Sequence, residues 1–110
     1  MEISIREVAP FRIVSLSGDV DLHSSPQARQ AILDAIKQKL PLLVELEAVR
    51  YMDSSGVASL VEGYQAARKQ GTEFGLAAVA TPVMNVLKLA RLDRVFPIHA
   101  SVEARLTRDA

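Results

Sequence analysis

Leu42-Leu43-Val44-Glu45-Leu46, then Val49-Arg50-Tyr51-Met52, then Asp53-Ser54-Ser55-Gly56-Val57 carry the chain through a decisive change of pattern. Residues 42–46 are short and mostly apolar, as a central strand covered on both faces requires. Residues 49–52 lead onward to an acid, two serines and a glycine. Beyond them Val57, Leu60, Val61 and Tyr64 recur at helical spacing, which predicts a helix from about Ser55 to Gln70 with that face on a sheet. Gly71 suits its left-handed C-terminal stop. A buried strand feeding an amphipathic helix through a tight polar turn is the repeating step of an α/β fold.

The same alternation extends in both directions. Upstream, Ile3 and Ile5 alternate with Ser4 and Arg6, Ala9-Pro10 turns, and residues 11–17 return, which predicts an antiparallel hairpin. Gly18-Asp19-Val20-Asp21-Leu22-His23 reads as a polar connection. Ser24 or Ser25 is positioned to cap a helix with Pro26 in its first turn. Ala28, Ile32, Ala35 and Ile36 form its buried face, and Pro41 ends it. Downstream, residues 74–79 read as a buried strand, with Gly75 at a close approach. Thr81-Pro82 opens a third helix with Val83, Val86, Leu87 and Ala90 inward. Residues 95–98 form a last short edge strand, and Ser101 caps a final helix through Leu106, after which the tail frays. The expected order is β-β-α-β-α-β-α-(β)-α. It describes one α/β domain over residues 1–110, with a mixed sheet of four to five strands and about four helices.

Composition narrows the function. Thirteen basic and thirteen acidic residues cancel, so no electrostatic case exists for direct nucleic-acid binding or an anionic membrane. With no cysteine, disulfides, thiolate catalysis and thiolate metal sites are excluded. No apolar run approaches the roughly 18 residues of a membrane span. The N-terminus alternates like a strand and lacks a signal peptide's apolar core, so a cytoplasmic location is the expectation. His23 and His99 are isolated and lack metal-ligand spacing, and Met52 and Met84 read as core fillers. Neither a metal nor a cofactor is expected.

The chemistry concentrates at residues 53–56. A helix begins there, and its first N–H groups have no intrahelical acceptor. One serine is expected to supply that acceptor, leaving the other to face solvent. An added anion would meet free N–H groups and the positive end of the helix dipole. Gly56, Ser59 and Gly63 are spaced by three and four, making a stripe of small side chains that suits a partner's close approach, with Val57 as an apolar anchor at its edge. Asp53 and Asp21 come from two loops expected at one end of the sheet. Plainer readings stand beside these. Either serine can be only a cap, the glycines can serve helix–sheet packing, and Asp21 can cap its own turn. A nucleophile elbow is absent, because Asp53 occupies its first glycine position. An enzyme is therefore not expected.

Val49-Arg50-Tyr51-Met52-Asp53-Ser54-Ser55-Gly56-Val57 resembles the signature of anti-sigma factor antagonists, members of the STAS domain family. Gly18-Asp19-Val20-Asp21 resembles that family's turn after the second strand. The resemblance implies a phospho-switch on a STAS fold. The dephosphorylated form binds an anti-sigma factor, a serine kinase of the histidine-kinase-like ATPase class, and so releases a sigma factor. The kinase phosphorylates the serine before the glycine, Ser55 here, and a PP2C-type phosphatase reverses this. The resemblance assigns Ser54 to the helix and the signal to Ser55, and it places Asp21 against the kinase. Glu45 and Glu47 depart from the family pattern at positions expected near the switch. An accessory STAS subunit of a lipid-type ABC transporter is the alternative; the complete Asp53-Ser54-Ser55-Gly56 motif favours the switch.

Overall fold

The computed structural model describes residues 1–108; the end of the expected frayed tail, residues 109 and 110, lies outside them. The first two strands, β1 (Glu2–Val8) and β2 (Phe11–Val20), are antiparallel, with Glu2 opposite Ser17 and Val8 opposite Phe11. A cis Ala9–Pro10 peptide joins them. Three further strands, β3 (Leu42–Met52), β4 (Phe74–Ala77) and β5 (Ile98–His99), add in parallel and complete a five-stranded mixed sheet in the order β1-β2-β3-β4-β5. The helices are α1 (Ser25–Lys37), α2 (Ser54–Gln70), α3 (Thr81–Leu89) and α4 (Val102–Leu106). A 3₁₀ turn at Leu92–Arg94 precedes β5.

Helices α1, α2 and α3 share one face of the sheet. Their apolar residues Ile32, Leu60 and Leu87 merge with Val14, Val44, Leu46 and Leu76 in the main core. On the other face Val102 of α4 closes a smaller cluster with Phe11, Ile13, Leu43 and Ala77. Strands covered on both sides are apolar on both sides, which is why residues 42–44 are all buried.

Most predicted elements form, and the differences have physical causes. Strand β3 runs on to Met52, where the sequence suggests a strand over residues 42–46 and a connection over 49–52. The offset to β2 changes between Ser15–Glu45 and Ser17–Ala48, so β3 carries an extra residue there. This bulge exposes both Glu47 and Ala48 and returns Val49 to the core, breaking the two-residue rhythm that marks a strand. Gly18-Asp19-Val20 belongs to β2 rather than to a loop. Gly18 has φ +80° beside a second change of register, and Val20 is fully buried. Ser24 precedes α1 without a side-chain bond into the helix, and Ala80, not Thr81, is the N-cap of α3. Ala90 and Val95 are exposed, and the last strand begins after Pro97, whose missing N–H cannot join a ladder. Ser101 caps α4 as expected, accepting from the Ala104 N–H at 3.0 Å.

Glycines set how closely α2 lies. A Cβ on Gly63 would sit 2.5 Å from Ile32 Cγ2 of α1 and 3.0 Å from Phe74 Cε2 of β4. The Phe74 ring cannot easily withdraw, because Tyr64 and Phe96 pack on it with centroids 6.0 and 6.1 Å away. Overpacking costs about 1–3 kcal/mol, and alanine's better helix propensity returns up to about 1. Gly63→Ala is therefore expected to destabilise the fold by about 1–2 kcal/mol, measured as a lower urea midpoint at unchanged slope. Gly75 behaves as its sequence context suggested. A Cβ there would meet His99 Nε2 at 2.9 Å and Leu43 Cδ2 at 3.2 Å. Packed on this glycine, His99 keeps a pKa below its usual value, mainly because burial disfavours the imidazolium.

Candidate functional site

The C-terminal end of the sheet assembles the site. β2 ends at Val20 and β3 at Met52, side by side, and Asp53 N–H donates to Val20 O at 3.2 Å. The loop after β2 and the start of α2 are thereby brought together, as the sequence anticipated for Asp21 and Asp53.

Asp53 is the N-cap of α2. Its Oδ1 accepts from the N–H groups of Ser55 (2.9 Å) and Gly56 (3.2 Å), and its Oδ2 accepts from Leu22 N–H at 3.1 Å. One carboxylate thus satisfies two helix-start donors and ties down the neighbouring loop, which a serine hydroxyl could not do. This corrects the expectation that Ser54 serves the helix. Ser54 is instead the first residue of α2 and is exposed, while Ser55 is half-buried. Among the described residues neither hydroxyl makes a side-chain hydrogen bond.

Asp21 organises its own turn. Its Oδ1 accepts from His23 N–H at 3.0 Å and Ser24 N–H at 3.1 Å. The Ser24 hydroxyl accepts from Asp21 N–H at 3.0 Å and donates to Asp19 O at 2.9 Å. The Ser24 backbone bond is the main reason the Asp21 carboxyl is held below its ordinary pKa, so it is ionised at neutral pH. The plainer reading of this aspartate holds in the folded chain, and the charge remains at the site's edge.

The stripe of Gly56, Ser59 and Gly63 faces inward rather than toward a partner, and all three are buried. A Cβ on Gly56 would meet Met52 Cγ at 2.6 Å and Val20 O at 2.9 Å, so this glycine admits the sheet and does not open a path to Ser55. Ser59 Oγ lies 3.1 Å from Ser55 O and 3.3 Å from Ser25 O, stitching the start of α2 to the start of α1. Val57 is buried in the main core and is not an edge anchor. Spacing alone identifies such a stripe without saying which way it points. Glu45 also departs from expectation. It lies in the first half of β3, on the face opposite α1 and α2, accepting from Ser15 Oγ at 2.8 Å and pairing with Arg6 at 3.3 Å.

The exposed side of the site contains residues that sequence reasoning did not select. A groove of about 390 Å³ runs between α1 and α2, lined in part by Ser25, Pro26, Arg29, Ser55, Ala58 and Glu62. Arg29 Nε and Glu62 Oε2 pair across it at 2.5 Å. Leu22, 69% exposed, stands on the loop that Asp53 holds. An apolar residue between Asp21 and His23 was the available signal for this last feature.

Fold and site together define a small α/β domain that offers a hydroxyl at a helix start whose capping is done by another residue. Comparison with known proteins gives the family. The model of the STAS domain matches residues 2–104, and the chain belongs to that family. The anti-sigma F factor antagonist of Paenibacillus polymyxa is 30% identical over 97% of this chain and 93% of its own length. Among solved structures, an anti-sigma factor antagonist from Mycobacterium paratuberculosis superposes with a TM-score of 0.87 at 28% identity, covering 97% of this chain and 92% of that one. The Bacillus cell fate determinant SpoIIAA in its phosphorylated form shares the fold, with a TM-score of 0.77 at 21% identity over 99% of this chain and all of that one. Among the described residues no helix is long and apolar enough to cross a membrane.

Proposed function

We propose that this protein is an anti-sigma factor antagonist, a binding protein rather than an enzyme, whose partner choice is switched by phosphorylation of Ser55. The observation that carries the reading is the division of labour at the start of α2. Asp53 performs the capping, so the Ser55 hydroxyl can be modified without taking a bond from the fold. Relatives named as anti-sigma factor antagonists support the functional class.

In this reading the dephosphorylated face docks an anti-sigma factor that is also a serine kinase of the histidine-kinase-like ATPase class. The kinase transfers the terminal phosphoryl group of ATP to Ser55 Oγ, which gives up its proton, and the complex separates. A PP2C-type phosphatase hydrolyses the ester and resets the switch. The contact surface is assigned to Ser54, Ser55, the exposed Leu22 and the rim formed by Asp21; Asp53, Gly56, Val57, Ser59 and Gly63 hold that surface in place from within.

The test is to incubate the protein with its purified kinase and ATP and to map the product by mass spectrometry. One phosphate on Ser55, and none on Ser55→Ala, is the expected result. Modification at another residue, or normal modification of Ser55→Ala, overturns the assignment. Recovery of an ABC-type ATPase and no kinase from cells would favour a transporter subunit instead.

A further inference from the structure

We infer that Arg29 is the receptor for the Ser55 phosphate, exchanging Glu62 for it, so that the phosphate folds into the groove between α1 and α2. The inference rests on Ser55 being the modified residue and adds what happens to the phosphate once it is there. Ser55, Arg29 and Glu62 line the same groove. Ser59 Oγ, within reach of both Ser25 O and Ser55 O, sets the starts of the two helices side by side. Arg29 lies one turn into α1, and Glu62 two turns beyond Ser55, about 10 Å along α2.

That separation is bridged from both sides. Long side chains on a helix lean toward its N-terminus, so Arg29 leans toward the Ser55 end of the groove. The phosphate in turn extends beyond Oγ. The guanidinium is free to move, because the Arg29 and Glu62 side chains are 47% and 44% exposed. An exposed ion pair of this kind contributes little to stability, so breaking it does not oppose the exchange strongly. A phosphate offers about −1.5 to −2 charges and three acceptor oxygens against one carboxylate, with a geometry that suits the guanidinium fork. The modified state then has a filled groove and a released Glu62, so it differs from the unmodified state in shape as well as charge.

The experiment installs phosphoserine at position 55 by genetic encoding and follows its second ionisation by ³¹P NMR. It does not require the kinase, so a failed phosphorylation assay and a failed phosphate receptor are separable results. In the otherwise unchanged protein the phosphate is expected to titrate below its ordinary value of about 6. Arg29→Gln should raise that titration by about half a unit, roughly threefold in proton affinity. Glu62→Gln, which frees the guanidinium, should lower it further. The helix start is common to all three proteins, so the differences report on the Arg29 and Glu62 charges. Repeating the titrations at high salt separates a direct Arg29–phosphate contact, whose shift persists, from a through-space field, whose shift collapses and overturns the exchange. An unchanged titration in Arg29→Gln, or one that does not fall in Glu62→Gln, overturns the exchange.

Discussion

Arg105→Ala is expected to lower the unfolding free energy by about 2–3 kcal/mol, an effect out of proportion to the five-residue helix that carries it. A helix as short as α4 has no independent stability. It stays in place through what it touches. Val102 enters the cluster of Phe11, Ile13, Leu43 and Ala77. Arg105 is only 7% exposed; its Nε and Nη2 meet Glu73 Oε2 and Oε1 at 2.5 and 2.7 Å, and its guanidinium lies 4.8 Å over the Phe11 ring. Truncation removes a bidentate pair, a cation–π contact and the packing of the stem together. Breaking a fully buried pair costs about 3–5 kcal/mol. The Glu73 side chain is 34% exposed, so water recovers part of that and brings the cost to about 2–3 kcal/mol.

The measurement is a urea midpoint shift at unchanged slope. A second signature separates the ion pair from lost packing. The Arg105 hydrogen bonds are the main reason the Glu73 carboxyl titrates below 4.5 in the folded chain. A carboxyl depressed by folding adds stability that is present above pH 4.5 and is lost as pH falls through the folded value. Arg105→Ala should flatten that part of the acid limb, while Val102→Ala should leave its slope unchanged. Equal slopes in the parent and Arg105→Ala would assign the arginine's role to packing alone.

The readable parts of this chain are those governed by local rules. The hairpin follows from alternation around Pro10, the buried face of α1 from Ala28, Ile32, Ala35 and Ile36, and the last cap from Ser101. The misread parts depend on neighbours distant in sequence. No pattern within residues 42–52 says that the register to β2 slips near Glu47, because the slip is a property of the pair of strands. The order of Asp53 and Ser54 does not say which caps. That was settled by Leu22 N–H, a donor from another loop that only a carboxylate with a second oxygen could also satisfy. Gly56, Ser59 and Gly63 form the stripe that their spacing indicates, but its direction depends on Ile32, Phe74 and Val20. The groove went unseen because its walls come from two helices and are ordinary surface residues on each.

If the proposed kinase docks as assigned, Ser55→Asp should weaken its binding by about a hundredfold or more while circular dichroism and the unfolding midpoint stay as they were. The two halves of this expectation come from different atoms. Stability is retained because the cap bonds run from the Ser55 and Gly56 N–H groups to Asp53, and a new side chain at position 55 takes none of them. In the proposed complex binding is lost because the position lines the groove assigned to docking, with the Asp53 carboxylate on its own N–H and the ionised Asp21 on the adjoining loop. A carboxylate there adds bulk and a further negative charge to a face that must be desolvated on docking. Like charge across an interface costs several kcal/mol, and each roughly 1.4 kcal/mol is tenfold in affinity, so two decades lie within reach. Ser55→Ala, which adds neither charge nor bulk, should bind within a few-fold of the parent. Titration calorimetry with the purified kinase measures both variants. Tight binding by Ser55→Asp would place residue 55 outside the interface. Equal weakening by Ser55→Ala would make the hydroxyl itself a contact, and the switch would then act by removing a bond rather than by adding a charge.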